Sequence, residues 1–156
     1  MDLKNVSPFS LGALAAGIVA FILSLFNSYV TVSASGFGSA GTNAWTSFAT
    51  LGMLLVIAAT ALIAVKVFAG QVLPPVAPWF LVSAVVAGVG TFLLILRALT
   101  GGGDVPSGMG ISVGPGWSGW LLFIAGIALT VCAVLDSRAA GEKLPDFSGQ
   151  KPADDN

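Results

Sequence analysis

The chain carries no charged side chain in residues 5–65, and this gap limits its possible folds more than any other feature. Two apolar stretches lie within the gap, and two more follow at residues 79–99 and 117–135. A helix of roughly 20 apolar residues, rising about 1.5 Å per residue, crosses a hydrocarbon core of about 30 Å. We therefore predict an all-α membrane protein with a transmembrane domain in residues 1–135.

Composition favours insertion into a lipid bilayer, the first partner that we expect. Hydrophobic residues make up 56% of the chain and charged residues 8%, with a mean hydropathy of +0.95. Soluble domains carry about 25% charged residues, so this chain is not expected to be soluble as a monomer. Its net charge of −1 provides no electrostatic attraction for nucleic acid, which we exclude as a partner.

Four transmembrane helices are predicted, at residues 9–32, 45–68, 79–99 and 117–135. Gly-rich connectors at residues 33–43 and 100–116 are typical of flexible loops, and the prolines in residues 70–78 predict a tight turn. The helices are therefore expected to form two antiparallel hairpins. The first helix is too long for the apolar region of a cleaved signal peptide, so we expect it to be retained. Residues 136–156 hold most of the charge and predict a disordered tail.

Basic residues determine the predicted orientation, because Lys and Arg near helix ends favour the cytoplasmic side. Five of them fall on the side shared by the two termini: Lys4, Lys66, Arg138, Lys143 and Lys151. Arg97 falls on the other side. We predict a multi-pass protein of the plasma (inner) membrane, with both termini in the cytoplasm and both Gly-rich loops outside.

Three polar residues near the outer helix ends are candidates for specific contacts. Arg97 lies close to the end of the third apolar stretch, where a charge in hydrocarbon is costly, and Asp104 follows in the next loop. Together they would contact an anion or a lipid headgroup at the outer face; alternatively, Arg97 reaches the interface by snorkelling. Asn27 falls within the first predicted helix, where its amide would hydrogen-bond another helix.

Aromatic and small residues indicate where the helices meet the interface and one another. Aromatic residues at helix ends concentrate at the membrane–water interface, and the candidates here are Tyr29, Trp45, Trp79, Trp117 and Trp120. Small residues spaced by four let helix backbones approach closely, and the candidates are Gly12, Ala13, Ala16, Gly17, Ala84 and Gly88.

The residue types that most enzymes need are missing or scattered. The chain has no histidine, which removes His-ligated haem, His-containing zinc sites and Ser-His-Asp triads. Cys132 is its single cysteine, and the acidic residues near the membrane surfaces form no evident pair or cluster. We therefore predict a protein that is not an enzyme and has no catalytic, cofactor-binding or metal-binding residues.

The order of several short motifs resembles a group of uncharacterised four-helix membrane proteins of actinobacteria. The matching pieces are Phe26-Asn27-Ser28-Tyr29, Asn43-Ala44-Trp45, Leu96-Arg97-Ala98-Leu99-Thr100 and Gly116-Trp117. The resemblance spans most of the chain and implies a four-helix fold in the plasma membrane. It implies no particular activity.

Three functions are compatible with these features. The leading hypothesis is a non-enzymatic membrane subunit or scaffold that packs against a partner membrane protein or forms a homo-oligomer. The alternative is a small oligomeric pore or carrier for a neutral or lipidic solute, with a weakly polar path lined by threonines. The third is an enzyme acting on lipid through Arg97 and Asp104, which lacks a nucleophile–base pair.

Overall fold

The described part of the chain folds as four α-helices with a small β-sheet at one end of the bundle. The structure is a computed structural model, and it describes residues 6–74, 77–100 and 110–142. In chain order the elements are α1 (Pro8–Ser24), β1 (Val30–Ala34), β2 (Gly38–Thr42), α2 (Ala49–Phe68), α3 (Trp79–Thr100), β3 (Ile111–Pro115) and α4 (Trp117–Ala139). We call the end that carries the strands the sheet end, and the end where α1 begins and α4 finishes the opposite end.

Three of the helices, α2, α3 and α4, are long and apolar enough to cross a membrane. The first helix is also apolar but has only 17 residues, a length of about 25 Å. Ser7 caps its start by accepting a 3.2 Å hydrogen bond from the Phe9 N–H, and proline takes the next position, where its missing N–H is no loss.

The prediction of one helix over residues 9–32 is wrong at its C-terminal end. The chain leaves the helix after Ser24, and β1 starts at Val30. Residues 30–32 are Val-Thr-Val, whose β-branched side chains favour a strand, although their hydropathy is equally suited to a membrane helix.

The fourth helix also differs from its prediction, because it continues to Ala139 rather than stopping at residue 135. Asp136 therefore lies in its last turn and not in a disordered tail. Residues 143–156 of that predicted tail lie outside the described residues.

The expectation that both Gly-rich connectors are unstructured is wrong, since each contributes to one antiparallel sheet of order β2-β1-β3. The central strand β1 pairs on one side with β2, placing Val32 opposite Ala40. On its other side it pairs with β3, placing Val32 opposite Val113. Gly36 in the turn between β1 and β2 and Gly38 at the start of β2 have φ angles of +87° and +90°, values that residues with a side chain disfavour.

The helices form a ring in which neighbours are unequally packed. The most extensive contacts join α2 to α3 and α1 to α4, with α3 and α4 next, whereas α1 and α2 touch least. The predicted α1–α2 hairpin therefore has the weakest contact between neighbouring helices of the ring. At the α2–α3 crossing, Gly52 faces Gly90 so closely that a Cβ on Gly90 would lie 2.8 Å from the Gly52 carbonyl oxygen.

Tyr29, which is fully buried, connects the sheet to the bundle. Its backbone N–H donates to the Thr42 carbonyl, and its own carbonyl accepts from the Gly116 N–H at 3.1 Å. Gly119, in the first turn of α4, packs under the Tyr29 carbonyl oxygen, where a Cβ would collide. The sheet is therefore held against the helices by backbone contacts that only glycine permits.

Candidate functional site

Two of the polar residues predicted near the outer helix ends, Arg97 and Asn27, lie near Tyr29 at the sheet end. The Tyr29 hydroxyl donates a 2.5 Å hydrogen bond to the Leu94 carbonyl oxygen, and its ring packs edge-to-face on Phe123. Burial raises the pKa of the Tyr29 phenol above its ordinary value, an effect that the nearby positive charge of Arg97 partly opposes. The phenol is therefore a structural donor in its neutral form.

Arg97 lies in the last turn of α3 with its side chain half-buried. Its guanidinium carbon is 5.9 Å from the centre of the Phe48 ring, a cation–π distance. Asp104, its predicted companion, lies outside the described residues. The arrangement joins the end of α3 to the start of α2, and the predicted contact with an anion or headgroup stays a prediction.

Asn27 lies outside the helix that was predicted to contain it, in the turn after α1, and its side chain is exposed. The contact between segments that was expected of Asn27 is made by Ser24. The buried Ser24 hydroxyl donates to the Phe21 carbonyl at 2.6 Å and accepts from the Trp45 indole N–H at 3.1 Å. Spacing along the sequence gives no sign of this pair, because it depends on where α1 ends.

The predicted interface aromatics occupy different environments. Trp117 and Trp120 are exposed at the start of α4, and Phe26 packs on Trp117 with ring centres 5.2 Å apart. Trp45 and Trp79 are half-buried, and the Trp79 indole donates to the Pro74 carbonyl at 2.9 Å. Tyr29 lies in the interior instead of at the surface.

The predicted small residues of α1 and α3 are all buried or half-buried. Gly17 packs directly on the Thr60 side chain of α2, and a Cβ on Gly12 would lie 3.3 Å from the Cys132 sulfur of α4. The contact of Gly90 with the Gly52 backbone was not predicted, because neither glycine belongs to the small-residue pairs singled out in the sequence. Gly88 has only an ordinary contact with Thr130.

The threonines proposed to line a pore differ in how their hydroxyls are bonded, and they are Thr31, Thr50, Thr60, Thr91 and Thr130. The hydroxyls of Thr60 and Thr130 donate to carbonyls of their own helices, at 2.8 and 2.9 Å. Thr31 lies in the sheet, where its hydroxyl approaches the Gly114 carbonyl at 3.4 Å. The buried Thr91 hydroxyl, by contrast, has no hydrogen-bond partner among the described residues, and the pore stays a prediction.

An apolar groove runs between α1 and α2, where the ring of helices is least tightly closed. Its volume is about 570 Å³. We call it the α1–α2 groove, and its lining residues are Leu14, Gly17, Ile18, Phe21, Ile57, Thr60, Ala61, Ala64 and Phe68. The Thr60 hydroxyl already donates to a backbone carbonyl of its own helix. The groove therefore presents an apolar surface to a ligand and no free hydrogen-bond donor.

Within residues 6–74, 77–100 and 110–142, no group of three Asp, Glu, Cys or His side chains could hold a metal ion. No protein-family model matches the chain, and no curated protein matches it.

Proposed function

We propose that this chain is a multi-pass membrane subunit, without catalytic activity of its own, that packs against a partner membrane protein. The α1–α2 groove carries the proposal. Ala61 and Ala64 form a shallow strip on α2, and the larger side chains of Ile18 and Phe21 border it on α1. In a bilayer, helices associate through close packing of such small residues, because lipid tails are as apolar as the side chains. A transmembrane helix of the partner fits this shape.

We further propose that the chain crosses the plasma membrane four times, with both termini in the cytoplasm. Three helices have the required length, and the 17 residues of α1 reach the lower limit of a span. Lys66 and Arg138 lie at the opposite end, as the rule for cytoplasmic basic residues requires.

Orientation is tested by thiol labelling in intact cells, after Cys132→Ser removes the native thiol. Phe37→Cys, at a side chain 94% exposed in the sheet turn, is expected to react with a membrane-impermeant maleimide added outside. Val72→Cys, at a side chain 77% exposed beyond α2, is expected to react only after permeabilisation. The reverse pattern would overturn the orientation, and outside labelling at both positions would overturn the spans.

The partner is tested by photocrosslinking from two matched isoleucines. A diazirine side chain replaces Ile18, which is 58% exposed in the groove, or Ile124, which is 63% exposed on α4 outside it. We expect one discrete protein adduct from position 18 and lipid adducts alone from position 124. An adduct of twice the chain mass would identify the partner as a second copy. Lipid adducts alone from both positions would contradict the proposal.

A groove-filling substitution provides the second arm. Ala61→Trp is expected to abolish the adduct formed from position 18, because its indole occupies the space of the partner helix. Ala58→Trp is the control, since Ala58 is exposed on the same helix but does not line the groove. An adduct that survives Ala61→Trp would place the partner elsewhere.

A further inference from the structure

A second cavity, of about 380 Å³, opens at the opposite end of the bundle among the ends of all four helices. Six residues that line it carry the argument: Ser7 and Ser10 from the start of α1, Lys66 and Val67 from the end of α2, Phe80 from α3, and Asp136 from α4. Its volume lies within the range of about 300–1,000 Å³ typical of small-molecule sites. It is separate from the α1–α2 groove and differs from it in having charged walls.

The buried acid is Asp136, whose side chain is only 2% exposed. Its Oδ2 atom accepts a hydrogen bond from the Ser10 hydroxyl, which is also buried. A carboxylate out of water is unfavourable unless it is hydrogen-bonded and paired with a cation. Among the described residues, no basic side chain forms an ion pair with it. The Asp136 carboxylate can therefore accept a hydrogen bond from a ligand ammonium group in addition to the one from the Ser10 hydroxyl.

Lys66 supplies the opposite charge on another wall of the same cavity. Its Nζ atom is 5.8 Å from the centre of the Phe80 ring, which holds the amine at the cavity surface by a cation–π contact. Lys66 and Asp136 line one space without pairing with each other. The nearby carboxylate of Glu142 is engaged elsewhere, since it accepts the Leu81 N–H at 2.9 Å at the start of α3.

We propose that this cavity binds a zwitterion that carries a primary ammonium and a phosphate, the headgroup chemistry of an ethanolamine phospholipid. The ammonium donates to the Asp136 carboxylate and the phosphate pairs with Lys66. A purely anionic group is repelled by Asp136, and a simple cation is repelled by Lys66. The cavity lies at the ends of the apolar helices, the depth at which headgroups meet a spanning bundle, and Val67 and Phe80 provide apolar walls.

Native mass spectrometry of the purified full chain tests the proposal with an equimolar mixture of phosphatidylethanolamine, phosphatidylcholine and phosphatidylglycerol of identical acyl chains. We expect phosphatidylethanolamine to be retained at least about tenfold better than phosphatidylcholine, whose trimethylammonium has no N–H to donate, a ratio that corresponds to one charge-assisted hydrogen bond. Phosphatidylglycerol, which lacks the ammonium, is expected to be retained least. Equal retention of the three lipids would overturn the proposal.

Variants assign the binding to this cavity. Lys66→Gln and Asp136→Asn are each expected to reduce phosphatidylethanolamine retention about tenfold. Arg138→Gln, which removes an exposed cation from the same end without touching the cavity lining, is expected to leave it unchanged. Asp136 is buried, so its substitution can impair folding. The half-buried Lys66 is therefore the variant that decides whether the cavity binds the lipid. Unchanged phosphatidylethanolamine retention in Lys66→Gln would show that the two charges serve only the fold.

The source of the headgroup is distinguished by competition with glycerophosphoethanolamine, which has the same charges and no acyl chains. If it displaces the lipid at similar concentration, the natural ligand is a soluble ester and the zwitterion site stands. If it does not, the acyl chains contribute and the ligand is the lipid. Displacement by glycerophosphocholine to the same extent would overturn the role of Asp136.

Discussion

The Tyr29 hydroxyl donates a 2.5 Å hydrogen bond to the backbone carbonyl oxygen of Leu94, 65 residues further along the chain. Both residues are buried, so the bond fixes the start of the sheet to the sheet-end half of α3 in a region with little competing water. A buried neutral hydrogen bond contributes about 1 kcal/mol to folding stability.

Tyr29→Phe is therefore expected to lower the free energy of unfolding by about 1 kcal/mol while keeping the ring packing on Phe123. The measurement is denaturant-driven unfolding in mixed micelles. Thr100→Val is the control, because it removes a hydroxyl that bonds its own helix at an exposed position and should have little effect. Equal stability of Tyr29→Phe and the wild type would mean that the hydrogen bond is not stabilising.

The same phenol is expected to resist ionisation, because burial raises its pKa above the ordinary value of 10.0. Tyr29 is the single tyrosine of the chain, so tyrosinate absorbance reports on it alone. At pH 10.0 the folded protein should show little tyrosinate, whereas the denatured protein should be half ionised.

The stability difference follows the same shift. A raised pKa in the folded state means that its stabilising effect is complete below the unfolded pKa and is lost as the pH rises from 10.0 towards the folded value. The advantage of the wild type over Tyr29→Phe should accordingly be constant below pH 10.0 and shrink above it. A folded protein that titrates as the denatured one does would contradict the burial of this side chain.

Gly90→Ala is expected to be destabilising by about 1–3 kcal/mol, because its Cβ would lie 2.8 Å from the Gly52 carbonyl oxygen and force α2 from α3. Gly88→Ala is the matched control, two residues earlier in the same helix. Its Cβ would lie 3.5 Å from a Thr130 methyl group, an ordinary contact, and alanine favours a helix more than glycine does. Unfolding in micelles measures both; a similar loss in both variants would argue against this crossing.

A disulfide between β1 and β3 tests the register of the sheet. The Gly116 N–H donates to the Tyr29 carbonyl and the Ser35 N–H donates to the Gly110 carbonyl. Val32 and Val113 lie three residues from each of these bonds, so they form a non-hydrogen-bonded pair with Cα atoms about 4.5 Å apart. In a Cys132→Ser background, Val32→Cys with Val113→Cys is expected to oxidise readily. Val32→Cys with Ser112→Cys, which places the second thiol on the other face, should not. Gel mobility before and after reduction shows whether each double variant has formed the disulfide. A disulfide in the Val32/Ser112 variant and none in the Val32/Val113 variant would shift the register by one residue.

Hydropathy is sufficient to predict the helices because their lipid-facing and interior residues are both apolar. The predicted third helix, residues 79–99, differs from α3 by a single residue at its end. The same property hides the end of α1, since Val30 and Val32 are as apolar as a helix interior and yet belong to a strand.

The sheet and the buried acid escaped prediction because both depend on contacts between distant parts of the chain. The segment that contains β2 is rich in Gly and Ser, and its order comes from pairing with β1; β1 in turn pairs with β3, where Val32 faces Val113. The alternation of Val, Thr and Ser in β1, and of Ile, Ser and Val in β3, is the signal that could have indicated strands. Asp136 was placed in the tail for its charge, although Ser10, 126 residues away in sequence, provides its hydrogen bond.

The strand order β2-β1-β3 has a consequence for how the chain matures. The ribosome makes β1 and β2 first, and β3 only after α2 and α3 have been completed. Until then one side of β1 has unpaired N–H and C=O groups, an exposed edge that invites pairing with other chains. Pairing of β3 closes this edge, because both sides of β1 are then hydrogen-bonded to a neighbouring strand.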